Sequence, residues 1–113
     1  KAPAIFNGDY EEGVRWKILD LIENHTRFVV WGVGTHTQHL METTPLQTAN
    51  IVAFVDSNPR YHGKSFNGIP ILPPEALRGI TVPVLVSSMI FYEEILSQMR
   101  NDLNIDNQVI RLY

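Results

Sequence analysis

Apolar runs divide the chain at Phe28-Val29-Val30-Trp31, Ile51-Val52-Ala53-Phe54-Val55, Val82-Pro83-Val84-Leu85-Val86 and Val109-Ile110-Arg111-Leu112. Such runs lack the alternation of a half-exposed strand and predict short strands buried on both faces, as in a parallel sheet. The intervening stretches follow a helical period. Val14, Ile18, Leu21 and Ile22 recur at i, i+4, i+7 and i+8 among charged residues, predicting an amphipathic helix from about Tyr10 to Glu23 that packs on the sheet. Asp9 can cap it, Trp16 adds apolar area near its stripe, and residues 1 to 8, with Pro3, Asn7 and Gly8, read as a lead-in. Thr35 to Thr44 predicts a short polar helix with Leu40 and Met41 inward, stopped by Pro45. Pro73-Pro74-Glu75-Ala76-Leu77 opens a helix of one or two turns that Gly79 can stop. After Ser87-Ser88 a longer helix places Phe91, Ile95 and Met99 on one face, with Leu96 beside them.

Asn67-Gly68, between Lys64-Ser65-Phe66 and Ile69-Pro70-Ile71, is the strongest short-range hairpin signal in the chain, and Pro70 predicts an edge position for the second arm. Strand and helix alternate throughout, which is the signature of an α/β domain with helices on both faces of a parallel sheet. The expectation is a three-layer α/β domain with a short parallel sheet of about four strands and a small edge hairpin. Residues 1 to 26 form the lead-in and helix, and residues 27 to 113 the domain proper. Right-handed crossovers place the strand of residues 51 to 55 on one side of the first strand and that of residues 82 to 86 on the other. Ligands of such sheets bind where the strand order reverses, so the loops Gly32 to Thr37, Asp56 to Arg60 and Ser87 to Met89 should converge.

The candidate chemistry sits in those loops. The first strand runs into Gly32-Val33-Gly34-Thr35-His36-Thr37, and Asp56 follows Gly34 by 22 residues. Gly-x-Gly between a strand and a helix suits phosphate, because the tight turn strains φ and a bare Cα lets a ligand approach the N–H groups at the helix start. The third small residue of the usual fingerprint is replaced by Thr37. Asp56 can accept hydrogen bonds from two ribose hydroxyls, or it can begin an Asx-turn with Asn58. Ser57 adjoins it, and Ser87 and Ser88 either cap the following helix or touch a ligand. His36 is read as a polar group near a ligand's phosphates or as a solvated first-turn residue.

Composition narrows the function. At 113 residues there is room for one core, and a net charge of −3 without a Lys or Arg cluster argues against a nucleic-acid or anionic-membrane partner. The absence of cysteine excludes disulfides and thiolate chemistry and fits the cytoplasm. No apolar run approaches the ~20 residues of a membrane span. The opening Lys1-Ala2-Pro3 lacks an initiator Met and points to a fragment of a longer polypeptide. No tyrosine has a lysine four residues on, which disfavours independent short-chain dehydrogenase or epimerase chemistry. His36 and His39 share a helical turn but supply only two of the three or four ligands zinc needs.

From about Arg27 to Tyr113 the chain resembles a known group. The run Phe28 to Gly34, then Val52-Ala53-Phe54-Val55-Asp56-Ser57-Asn58-Pro59, Gly63-Lys64, Asn67-Gly68-Ile69-Pro70-Ile71 and Pro74-Glu75 looks like the Rossmann-like domains of sugar-nucleotide and surface-polysaccharide enzymes. These include the amino-terminal domain of bacterial sugar O-acyltransferases, epimerase-like polysaccharide-biosynthesis proteins and domains appended to sugar methyltransferases. The resemblance implies a module that binds a nucleotide or nucleotide-sugar, NAD or a UDP-sugar type, within a larger carbohydrate-modifying enzyme. By it, Gly32, Gly34, Thr35 and His36 line the phosphate side and Asp56 the nucleoside side, while Thr37 departs from the pattern. Two other readings stay open. One is an NAD-dependent sugar-nucleotide oxidoreductase or epimerase domain whose catalytic residues lie on a covalently linked neighbour, with Asp56 selecting the unphosphorylated dinucleotide. The other is an assembly domain with an empty pocket, for which the hairpin edge allows pairing of two copies. A methyltransferase core needs a larger sheet than this length provides.

Overall fold

The computed structural model describes residues 8–113. The lead-in therefore lies outside it, except Gly8, which already belongs to the first helix, and the side chain of Asp9 lies outside it too. Helix α1 spans Gly8–Glu23, α2 Thr35–Thr43 and α3 Tyr92–Ser97. The strands are β1 Arg27–Trp31, β2 Asn50–Val55, β3 Ser65–Phe66, β4 Ile69–Leu72, β5 Val84–Val86 and β6 Val109–Arg111. They form one sheet in the order β3-β4-β2-β1-β5-β6, parallel throughout except for β3, which runs antiparallel to β4.

The expectation of about four strands with a separate hairpin is corrected to six strands in one sheet. The hairpin is not an appendage, because Phe54 pairs with Ile71 and Val55 with Leu72, so its second arm continues the parallel sheet. Pro70 consequently sits on an inner strand. It is tolerated because the β2 ladder begins one residue later, and its missing N–H falls outside that ladder. The turn itself has Asn67 at φ 53° and Gly68 at φ 76°, the two positive angles that a two-residue turn of this hand requires.

Alternate residues of the buried strands feed two core layers. Phe28 and Val30 of β1 pack with Val14 and Ile18 of α1, Leu40 and Met41 of α2, and Leu46 of the 3-10 turn Pro45–Thr48. Val29 and Trp31 face the opposite layer, with Leu77 of the 3-10 turn Pro74–Gly79 and with Met99, Leu103 and Ile105. An irregularity between Phe28 and Val29 pairs them with Ile51 and Ala53, so β2 carries one extra residue, Val52. Phe66 of β3 closes its end of the core edge-on against Phe54, with ring centroids 5.2 Å apart. Each fully buried side chain of this kind contributes about 1.5–3 kcal/mol from removal of apolar area from water.

The last helix departs most from expectation. Only Tyr92–Ser97 is α-helical, and Gln98–Asp102 widens into a π-helical turn. Met99 is fully buried as predicted, but Phe91 is 57% exposed. The helix begins one residue after Phe91, which stands outside its helical period. Trp16 on α1 is 46% exposed, so it is not part of the buried stripe. Among the described residues no helix is long and apolar enough to cross a membrane.

Candidate functional site

The sheet reverses direction of growth between β1 and β5: β1 connects through α2 to β2 on one side, and β5 connects through α3 to β6 on the other. At the carboxyl ends of these strands the chain makes its glycine turn. Gly32 has φ 114°, a conformation side chains disfavour, and its N–H donates to the Val55 carbonyl at 2.7 Å. Gly34 caps α2 in an extended conformation, with φ −76° and ψ −169°, and as a glycine it supplies no side-chain cap to the first N–H groups of that helix. The two glycines thus differ in purpose. At Gly32 the backbone demands glycine, whereas at Gly34 any residue could adopt the angles, and a Cβ built there meets nothing within 4 Å. The space beside Gly34 opens directly onto the positive end of α2, where partial charges on free N–H groups favour an anion.

Asp56 follows β2 and reaches this turn. One carboxylate oxygen accepts the Val33 N–H at 3.0 Å, and the other accepts the Asn58 N–H at 2.9 Å. Asp56 thus begins the Asx-turn with Asn58, and its other oxygen is held at the glycine turn. Its backbone is held as well, the N–H donating to Leu72 at 3.2 Å and the carbonyl lying 2.7 Å from His62 Nε2. Ser57 beside it is exposed. Asn58 in turn caps the 3-10 turn Pro59–Tyr61 by accepting from the Arg60 N–H.

Ser87, expected as a cap or a ligand contact, turns inward. It is buried, its hydroxyl lies 2.8 Å from the Thr37 hydroxyl, and it points back at the Trp31 carbonyl. This explains why Thr37 stands where the usual fingerprint has a small residue. The first turn of α2 is fastened to β5 through a buried hydroxyl pair instead of through bare close packing. Ser88 accepts the Phe91 N–H at 2.9 Å, which closes the turn leading into α3 without capping the helix itself. Thr35 is the first exposed residue of α2.

His36 is exposed on the same turn, but its ring is engaged. Nε2 hydrogen-bonds the Tyr113 hydroxyl, and the two rings lie with centroids 5.5 Å apart. Partial burial lowers its pKa below the ordinary histidine value, the neighbouring His39 adds to the lowering, and a hydrogen bond to the Ser87 backbone opposes both. Gly32, Gly34, Thr35, His36 and Asp56 thus gather on one rim, Ser57 lies at its margin, and Ser87 lies beneath it. Sequence reasoning missed two participants, the Val33 N–H and Tyr113. Tyr113 meets His36 across 77 residues of chain, and no local signal announces such a contact.

Comparisons with known proteins place this geometry. No curated protein matches the chain. Among solved structures, UDP-D-quinovosamine 4-dehydrogenase from Vibrio fischeri is similar, with a TM-score of 0.53 and 16% identity over 76% of this chain and 76% of that one. At that identity the likeness is one of fold, and it agrees with the doubly wound strand order described above. Residues 24–111 match the family described as C2185-like, N-terminal, and the chain belongs to that family.

Proposed function

We propose that this chain binds a nucleotide or nucleotide-sugar at the rim formed by the ends of β1, β2 and β5, as a module of a larger carbohydrate-modifying enzyme. One observation carries the reading: the start of α2 is open beside Gly34, which has no side chain to cap it, and a carboxylate, Asp56, accepts the Val33 N–H in the glycine turn that leads into that helix. The open N–H groups suit a diphosphate, and Asp56 retains lone pairs for ribose hydroxyls beyond the two backbone donors it accepts. The similar solved structure is a dehydrogenase named for a UDP-sugar, which supports testing UDP-sugars first. NAD is the second candidate, with Asp56 again at the ribose.

An assembly role without a ligand is favoured by one feature. Asp56, Ser87 and His36 already have partners within the protein, so the fold satisfies them with the rim empty. The two readings separate by thermal shift with UDP-glucose, UDP, NAD and S-adenosylmethionine. A ligand at ~100 times its Kd stabilises the native state by about 2.7 kcal/mol, a rise of several degrees in Tm. Asp56→Asn keeps an acceptor for one of the two backbone N–H groups while removing the charge, and is expected to reduce that rise. No rise with any of the four compounds sinks the binding reading and leaves the assembly role.

A further inference from the structure

The placement of Tyr113 is firmer than its position after the last strand suggests. Leu112 before it is buried, and the Lys17 ammonium on α1 donates to the carbonyls of Arg111 and Leu112 at 3.2 and 3.1 Å. The chain beyond β6 is thereby clamped to α1, and from that clamp Tyr113 reaches the first turn of α2. His36 is the second residue of α2, so its ring is held within a turn of the uncapped N–H groups. A neutral imidazole has one donor nitrogen and one acceptor nitrogen. The assignment that satisfies both neighbours has the ring donating to the Ser87 backbone and accepting the Tyr113 hydroxyl. Protonation leaves no acceptor, and it puts a cation beside His39 and at the positive end of a helix, both unfavourable.

The balance reverses when negative charge arrives. We propose that Tyr113 holds the His36 imidazole at the start of α2 as a proton-coupled clamp, so that a phosphate-bearing ligand entering beside Gly34 is bound with uptake of a proton on His36. This rests on the nucleotide reading above and adds its regulation. Tyr113 is a positioning residue here, and His36 is the group that changes charge. The groups facing the ring are Tyr113 after β6, His39 on α2 and the Ser87 backbone after β5. Asp56 stands across the glycine turn, bonded to Val33.

UDP-glucose and NAD are suitable probes because their diphosphates are diesters and do not titrate near neutrality. Calorimetric titration of the whole chain in two buffers of different ionisation heat measures proton uptake directly. From about pH 8 to about pH 6 the wild-type Kd is expected to fall roughly threefold or more, bounded by tenfold per pH unit for one coupled proton. His36→Gln should bind with an affinity that no longer depends on pH. Tyr113→Phe, which removes only the hydroxyl that holds the ring, should weaken UDP-glucose binding at about pH 6 while changing it little at about pH 8. Binding with the same affinity at both pH values and no buffer-dependent heat overturns the clamp and leaves the nucleotide reading standing. An absence of binding at either pH removes both.

Discussion

The two ends of the sheet solve opposite problems. At the amino end a cleft of about 480 Å³ opens between residues 77–81 and 103–108. Two polar side chains of its lining, Arg78 and Asn107, and the neighbouring Arg100 are engaged with the backbone around it. Asn107 donates to the carbonyls of Ile80 and Val82 at 2.7 and 2.9 Å, Arg100 to those of Ile105 and Asn107 at 2.9 Å each, and Arg78 to that of Leu103 at 3.2 Å. This segment has no strand ladder of its own between the π-helical turn and β6, so side chains satisfy carbonyls that would otherwise be stranded. At the carboxyl end the side chains lace the loops together as well, through Asp56, Ser87 and His36, yet the cap position of α2 is Gly34, which has no side chain to offer. The difference teaches that volume is a poor guide to function in this fold. In the large cleft Arg78 and Asn107 are spent on structure, and the shallow rim has open space beside Gly34 at the start of α2.

The largest expected effect comes from breaking the amino end. Asn107 is 8% exposed, and Asn107→Ala removes two hydrogen bonds and leaves two carbonyls short of a partner. We predict a loss of about 2–4 kcal/mol of unfolding free energy in urea titrations, with no change in ligand affinity for the folded protein. A loss of binding in the folded variant would show that the two ends are coupled, against the comparison drawn here. A smaller effect is expected beneath the rim. Ser87→Ala strands the Thr37 hydroxyl in a buried site and should cost about 1–3 kcal/mol, whereas Thr37→Val with Ser87→Ala should cost less than the sum of the single changes. Additive costs in that double-mutant cycle would mean the hydroxyl pair is not the fastening between α2 and β5.

Much of this architecture is legible in the chain because its signals are local. The apolar runs become β1, β2, β5 and β6, the last a half-exposed edge strand, and the placing of β2 and β5 on opposite sides of β1 follows from the alternation of strand and helix. Asn67-Gly68 announces its hairpin because few other pairs adopt two positive φ angles. What is not legible depends on distant partners or on a broken period. That β4 joins β2 cannot be read from a hairpin motif, which specifies only the pairing of its own arms. The stripe Phe91, Ile95, Met99 fails at its first member because α3 begins only at Tyr92, and the π-helical turn at Gln98–Asp102 breaks the 3.6-residue period at its other end. The segment 103–107, with buried Leu103, Ile105 and Asn107, carries no periodicity at all. At the candidate site the glycine turn and Asp56 could be paired by spacing, but that the carboxylate bonds Val33 N–H, and that Tyr113 meets His36, are products of the folded topology.

The smallest expected effect on stability sharpens the comparison most, because it isolates the open part of the rim from the laced part. Gly32→Ala forces a side chain into φ 114° and should cost about 1–3 kcal/mol whether or not a ligand exists. Gly34→Ala meets no such strain: φ is −76° and the new Cβ has open space around it. Alanine is a poorer helix cap than glycine by several tenths of a kcal/mol, and it restricts the unfolded chain by a similar amount, so the terms roughly cancel. An unchanged apo Tm is therefore expected. The same methyl group, however, projects into the space from which a phosphate approaches the N–H groups of α2, and it should weaken UDP-glucose or NAD binding by tenfold or more, about 1.4 kcal/mol. If Gly34→Ala binds as tightly as wild type, the ligand does not approach α2 beside Gly34, and the space there is merely unfilled.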